Sequence, residues 1–259
     1  MEVREFYQPR SVQEALELLG RAPGETRVVA GGTDLFLQLR RGDIRAAYLL
    51  DVGGVAELAY IREEPQFIRV GAATLVDDLA RSGLLRRYAA ALAEAASALG
   101  SPQIRNRATI GGNLGRSSPA ADCVCALMAL GAEVLVQSAS GTREIPIDRF
   151  LLGPGKNALA PDELIVEVRM GKPRGRFGSR FLKLGRRKAL VLATASAAAH
   201  GLVAGGDPGR GRRGRPGGLA DLGRAGFGRI PADGDPRPGQ AGARRRLGSG
   251  AGGLTRRAV

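Results

Sequence analysis

Apolar residues recur every three to four positions in some segments and run unbroken or alternate in others, so helices and strands are interspersed from the start of the chain. Ser11-Val-Gln-Glu14 has capping-box spacing, and Val12, Ala15, Leu16, Leu18 and Leu19 form an apolar helical stripe that ends near Gly20. Phe6 and Tyr7 before it read as a strand, and so does the β-branched run Thr26-Arg-Val-Val-Ala30 after it. Leu35, Phe36, Leu37 and Leu39 suggest a helix closed by Arg40, Arg41 and Gly42, and Tyr48 to Val52 is another strand. Ala59 to Ile61 and Phe67 to Val70 flank a polar turn and read as a hairpin.

Leu75 to Arg81 and the Ala/Leu-rich run from Leu84 to Leu99 predict helices, the second ending at Gly100-Ser101-Pro102. A polar stretch then leads to Thr109-Ile-Gly-Gly-Asn113, and Ala120 to Leu130 is helical. Glu133 to Gln137 and Arg143 to Ile147 form a hairpin around Ser140-Gly141, and Glu163 to Arg169 alternates as a strand. Arg180 to Leu184 reads as a strand, whereas Leu190 to Ala199 fits a buried strand or a helix. The pattern is that of an α+β protein.

Two separate turns punctuate it: Ala30-Gly31-Gly32-Thr33-Asp34-Leu35 and Thr109-Ile110-Gly111-Gly112-Asn113-Leu114. Paired glycines allow positive φ and let a ligand approach the backbone closely. Successive N–H groups can then converge on phosphate oxygens, aided at the first turn by the following helix. On this reading a bulky residue at Gly32 or Gly111 excludes the phosphate. Neither turn is a Walker loop or a Rossmann fingerprint by spacing, so a tight structural turn and a ligand turn both remain open here.

Composition narrows the chemistry. The 259 residues are 44% hydrophobic, 25% charged and 4% aromatic with no Trp, so aliphatic side chains must fill the core. Cys123 and Cys125 are too few for a disulfide framework, a four-cysteine zinc site or an iron–sulfur cluster, and on a helix they face different ways. His200 is the sole histidine, which argues against a Ser-His-Asp enzyme. No apolar run approaches the roughly 18 residues of a membrane span, and MEVREFYQPR has no signal-peptide core, so the expected location is cytoplasmic.

The net charge of +14 is unevenly placed. Residues 201–259 hold 12 Arg, 4 Asp, no Lys and no Glu, together with 18 of the 39 glycines, while the first 200 residues carry only +6. Arg86-Arg87 and Arg105 to Arg107 read as solvated faces or subunit contacts, and Arg186-Arg187-Lys188 as a solvated face, with an anionic cofactor or a partner as the alternative.

The two turns, letter for letter, resemble those of the FAD-binding medium subunit of the molybdenum hydroxylase family, the carbon monoxide and xanthine dehydrogenase type. Phe6-Tyr7-Gln8-Pro9, Gly100-Ser-Pro-Gln-Ile-Arg-Asn106, Asp162-Glu-Leu-Ile165 and Phe181-Leu-Lys183 are similar as well, so the likeness covers about residues 1–200. It implies an FAD-binding fold of the PCMH (vanillyl-alcohol-oxidase-like) type over residues 1–170, with small subdomains of about 1–55 and 56–170. Residues 171–200 would begin an incomplete C-terminal domain.

It further implies that Val28, Val29, Ala30, Gly31, Gly32, Thr33, Asp34 and Leu35 wrap the FAD pyrophosphate. Thr109, Ile110, Gly111, Gly112 and Asn113 would contact the pyrophosphate and ribityl chain. Asp122 would bind the adenosine half, Gly100 would line the isoalloxazine pocket, and Ile165 and Lys183 would stand beside the flavin ring. The implied partners are a small 2Fe–2S subunit and a large molybdopterin subunit, in a dimer of heterotrimers, with FAD passing electrons to an external acceptor.

Gly, Ala, Arg and Pro make up 43 of the last 59 residues, and the likeness stops where they begin. This segment is expected to be disordered, as an out-of-frame terminus of a GC-rich gene. The missing domain would leave apolar surface exposed on residues 160–200. The alternative function is a basic nucleic-acid-binding protein acting through this Arg/Gly-rich tail, although a single aromatic, Phe227, leaves little for base stacking.

Overall fold

The computed structural model describes residues 3–186 and 192–202. The expectations for residues 203–259, and for Arg187 and Lys188, lie outside the described residues. The chain opens with β1 (Glu5–Tyr7), α1 (Val12–Arg21), β2 (Thr26–Val29), α2 (Leu35–Arg41) and β3 (Tyr48–Asp51). These three strands form a parallel sheet in the order β1-β3-β2. Ser11 caps α1 by accepting from the Glu14 amide at 3.1 Å, while the Glu14 carboxylate accepts from the Arg10 N–H at 2.7 Å. The reach-back thus lands one residue before the cap. Ala15, Leu16 and Leu19 of α1 are buried against Leu50, Val52 and Leu164.

After a 3₁₀ turn at Ala56–Leu58 come β4 (Ile61–Glu63), β5 (Phe67–Gly71), α3 (Val76–Arg81), α4 (Gly83–Tyr88), α5 (Ala90–Ala98), α6 (Pro102–Arg105), α7 (Ile110–Arg116) and α8 (Asp122–Ala129). Then follow β6 (Glu133–Ser138), β7 (Gly141–Pro146), α9 (Ile147–Phe150), β8 (Leu151–Gly153), β9 (Lys156–Asn157), β10 (Leu164–Gly171), β11 (Phe177–Leu184) and β12 (Ala195–Leu202). The second sheet is antiparallel in the order β4-β5-β10-β6-β7, with a bulge in β10 between Ile165 and Glu167. One face of it carries Ile68, Val70, Val134, Val136 and Val168 into a cluster with the Ala/Leu faces of α3, α5, α7 and α8. Small side chains there let the helices lie close, which is how a core with few aromatics reaches native density.

The α+β expectation holds, with three local corrections. The predicted helix over 84–99 is two helices, because Ala89 leaves helical geometry at φ −145°, ψ 49°. The second glycine turn is the first turn of α7, with Thr109 as its N-cap. Leu190 to Ala199 resolves in part: Ala195–Leu202 is a strand paired antiparallel to β11. The β11–β12 hairpin is pinned to α5 by the Ala91 N–H donating to Ser179 Oγ at 3.0 Å and the Phe181 N–H donating to Glu94 Oε2 at 2.8 Å. Its outer face leaves Leu182 and Leu184 largely exposed. Cys123 is buried inside α8 and Cys125 half-buried, and among the described residues no three His, Cys, Asp or Glu side chains cluster as a metal site. No helix among them is long and apolar enough to cross a membrane.

Candidate functional site

The first glycine motif follows the end of β2, the second opens α7, and the fold joins them through glycine. A Cβ on Gly31 would sit 2.0 Å from the carbonyl oxygen of Arg107 and 2.8 Å from the Ala108 α-carbon. Only glycine permits this contact between the first motif and the segment leading into the second. Asp34 makes a second link, an ion pair with Arg116 at the end of α7. Gln38 Nε2 donates to the same carboxylate at 2.6 Å.

The first motif is rich in unused donors. Val29 is buried in a small cluster with Ala46 and Leu49, and it ends β2. Val28 and Ala30 are half-buried. Gly32 then takes φ +69°, and its α-carbon lies under the Phe36 ring, only 2.5 Å from where a Cβ would stand. Among the described residues, none of the five amides from Gly31 to Leu35 donates a hydrogen bond to the protein. Polar backbone so left calls for water or a ligand. Five successive donors suit phosphate oxygens.

The second motif is built the other way. The Ile110 N–H donates to Thr74 O at 3.1 Å, Gly111 N–H to Ala72 O at 2.8 Å, Gly112 N–H to Thr109 Oγ1 at 3.1 Å and Asn113 N–H to Thr109 O at 3.0 Å. No amide from Ile110 to Asn113 is left for a phosphate, which corrects the expectation that both turns offer their backbone. Gly111 is also not where a ligand approaches. Its missing Cβ would meet Ala72 at 2.8 Å, inside the core. Gly112 is exposed, with only its own cap oxygen within 4 Å of a Cβ position. The groups free here are that open α-carbon and the side chain of Asn113, whose Oδ1 is buried with no partner among the described residues.

Asp122 and Lys183 meet. Lys183 Nζ donates to Asp122 Oδ2 at 2.6 Å and to Ala98 O at 3.1 Å, joining residues 61 positions apart. Both side chains are largely buried, so Lys183 is no solvated strand end. Burial pushes the Asp122 carboxyl above its usual range, and the neighbouring ammonium pulls it back only in part. Asp122 Oδ1 is buried with no partner among the described residues. Ile165 is buried at the start of β10, with its Cδ1 3.7 Å from a Cβ position on Gly115 of α7. Gly100, at φ +51°, turns the chain from α5 toward α6 over Ile104. Sequence reasoning missed Ala72, whose carbonyl and methyl seat the second motif. It read Arg105 to Arg107 as a solvated face or partner contact, and Arg107 is exposed, but the role of its backbone carbonyl against Gly31 was missed and Arg116 was left out. No local spacing signals contacts between such distant segments.

The sequence pattern of the FAD binding domain in molybdopterin dehydrogenase matches residues 1–173. The chain belongs to this family. It is 38% identical over 192 residues to the nicotinate dehydrogenase FAD-subunit of Eubacterium barkeri, covering 73% of this chain and 65% of that one. It is 34% identical over 166 residues to the carbon monoxide dehydrogenase medium chain of Hydrogenophaga pseudoflava, covering 64% of this chain and 58% of that relative. The solved carbon monoxide dehydrogenase of the same organism superposes with a TM-score of 0.75 at 33% identity, over 79% of this chain and 71% of that chain. The chain thus spans less than two thirds of the length of these two curated relatives. As a member of the molybdopterin-dehydrogenase FAD-binding family it binds FAD. The nucleic-acid reading rested on residues 201–259 and gains no support from these relatives.

Proposed function

We propose that the chain is the FAD-binding subunit of a molybdenum-containing dehydrogenase, passing electrons from a partner iron–sulfur subunit through FAD to an external acceptor. The observation that carries this is the junction of the two glycine motifs, with five unpaired amides on one side and the unpartnered Asn113 side chain on the other. These groups fit a dinucleotide: donors for its pyrophosphate at Gly31 to Leu35, and an open α-carbon at Gly112 for close approach. Bound FAD supplies the redox chemistry, accepting and releasing electrons. The chain's residues bind and orient it, and the Lys183 ammonium supplies positive charge if the flavin ring stands beside it. The Lys183–Asp122 pair places those two residues together, so Asp122 serves first to hold the lysine.

Two sheets of different topology support a division near residue 55, and the hairpin after residue 171 supports a third unit. The relatives' names, a FAD-subunit and a medium chain, support assembly with other subunits, which we take to be a small 2Fe–2S subunit and a large molybdopterin subunit in a dimer of heterotrimers. The test is the purified chain, alone and with those partners. Alone it should carry one FAD and turn over no substrate of the molybdenum subunit. Absence of bound flavin in both preparations would sink the reading.

A further inference from the structure

The pyrophosphate of a dinucleotide is anionic, and backbone amides alone do not neutralise it. At the first motif the nearest side-chain charge is the wrong one, the carboxylate of Asp34. The cation in contact with the motif is Arg116, which belongs to neither glycine sequence. Its backbone is firmly held. Ser117 after it takes the left-handed conformation at φ +49° and donates its hydroxyl to Leu114 O at 2.7 Å. Asn157 Nδ2 donates to Gly115 O at 2.9 Å, and the Gly155 N–H donates to Ser117 O at 2.9 Å. Gly155 lies beside the guanidinium, and a Cβ there would stand in ordinary contact, 3.4 Å from Arg116 Nη1.

The pair with Asp34 runs through Arg116 Nε. Among the described residues neither Nη nitrogen donates a hydrogen bond, and the side chain is 42% exposed. An arginine can hold a carboxylate by one edge and offer its remaining donors to a phosphate. We propose that Arg116 is the charge-neutralising residue of the dinucleotide site, screening Asp34 and binding the pyrophosphate. This rests on the FAD reading above.

The test uses the full chain, flavin-stripped, with FAD, inorganic pyrophosphate and riboflavin as separate probes. Arg116→Gln should raise the Kd for FAD about ten- to a hundredfold, as loss of a charge-assisted hydrogen bond does. It should also abolish the thermal stabilisation by pyrophosphate while leaving riboflavin binding unchanged. Arg116→Lys should recover part of both losses. The unliganded variant should melt like the wild type, because an exposed pair contributes little to folding. An FAD Kd within about twofold of wild type, or undiminished stabilisation by pyrophosphate, would overturn the proposal and leave FAD binding standing. Equal weakening of FAD and riboflavin would also overturn it, showing only a clasp between the two motifs. Failure of the wild-type chain to bind FAD or pyrophosphate would instead overturn the FAD reading, and this proposal with it.

Discussion

At Gly31 to Leu35 the paired glycines stand ahead of a helix and five successive amides have no partner among the described residues. At Ile110 to Asn113 the paired glycines lie inside α7 and every amide is engaged. The first glycine of each pair does the same job: Gly31 admits the Arg107 carbonyl and Gly111 admits Ala72. The second glycines diverge, since Gly32 supplies a left-handed φ whereas Gly112 leaves an open surface. One motif is therefore a donor loop, and the other is the anvil on which it is set. Similar letters offer backbone donors in one place and, apart from the open face at Gly112 and Asn113, packing in the other, and the hydrogen-bond inventory separates them.

The largest effect should come from Gly31→Ala. Its new methyl meets backbone atoms that cannot turn aside, so the two motifs must separate. FAD binding should be lost, with destabilisation at or above the upper end of the ~1–3 kcal/mol typical of overpacking. Equilibrium flavin titration and urea unfolding measure the two losses; a variant with normal FAD affinity would break the link between the motifs. Gly111→Ala comes next. Crowding Ala72 should lower stability by about 1–3 kcal/mol, with FAD affinity falling only as the fold weakens.

Gly112→Ala should invert that pattern. Alanine gains up to about 1 kcal/mol of helix propensity, offset by a 3.0 Å approach to the Thr109 hydroxyl, so unfolding should change little. FAD affinity should still drop by about tenfold, because the methyl occupies the open side of the helix. If instead Gly111→Ala weakens FAD without loss of stability, the division of labour is reversed.

The smallest effect lies outside both motifs. His200 is the only histidine, and burial holds its pKa below the usual value of 6.5. A depressed folded pKa means that the hairpin's stability is whole above pH 6.5 and declines as pH falls through the lower, folded value. A single imidazole NMR titration below 6.5 checks this, and FAD affinity should not follow it. A midpoint at or above 6.5 would contradict the buried placement of this ring.

Most of the elements were legible in the sequence because their signals are local. The cap at Ser11, the αL stop at Gly42 and the Ser140-Gly141 hairpin each declare themselves within a few residues. The start of α7 was hidden because Gly111 and Gly112 are poor helix formers, and what keeps them helical is the Thr109 cap and the backbone of Ala72 and Thr74. The break at Ala89 has no glycine or proline to mark it. Motif identity pointed to the candidate site, but not to its internal wiring. The Gly31–Arg107 contact, the Asp34–Arg116 pair and the Asp122–Lys183 pair all cross long stretches of chain, where periodicity carries no information.

The most direct test of the donor loop and the anvil is residue-resolved amide hydrogen exchange with and without FAD. The account predicts fast exchange at Gly31 to Leu35 in the flavin-free chain and marked slowing when FAD is added. Ile110 to Asn113 should be protected in both states. Protection at Gly31 to Leu35 that ignores FAD, together with FAD-dependent protection at Ile110 to Asn113, would contradict it.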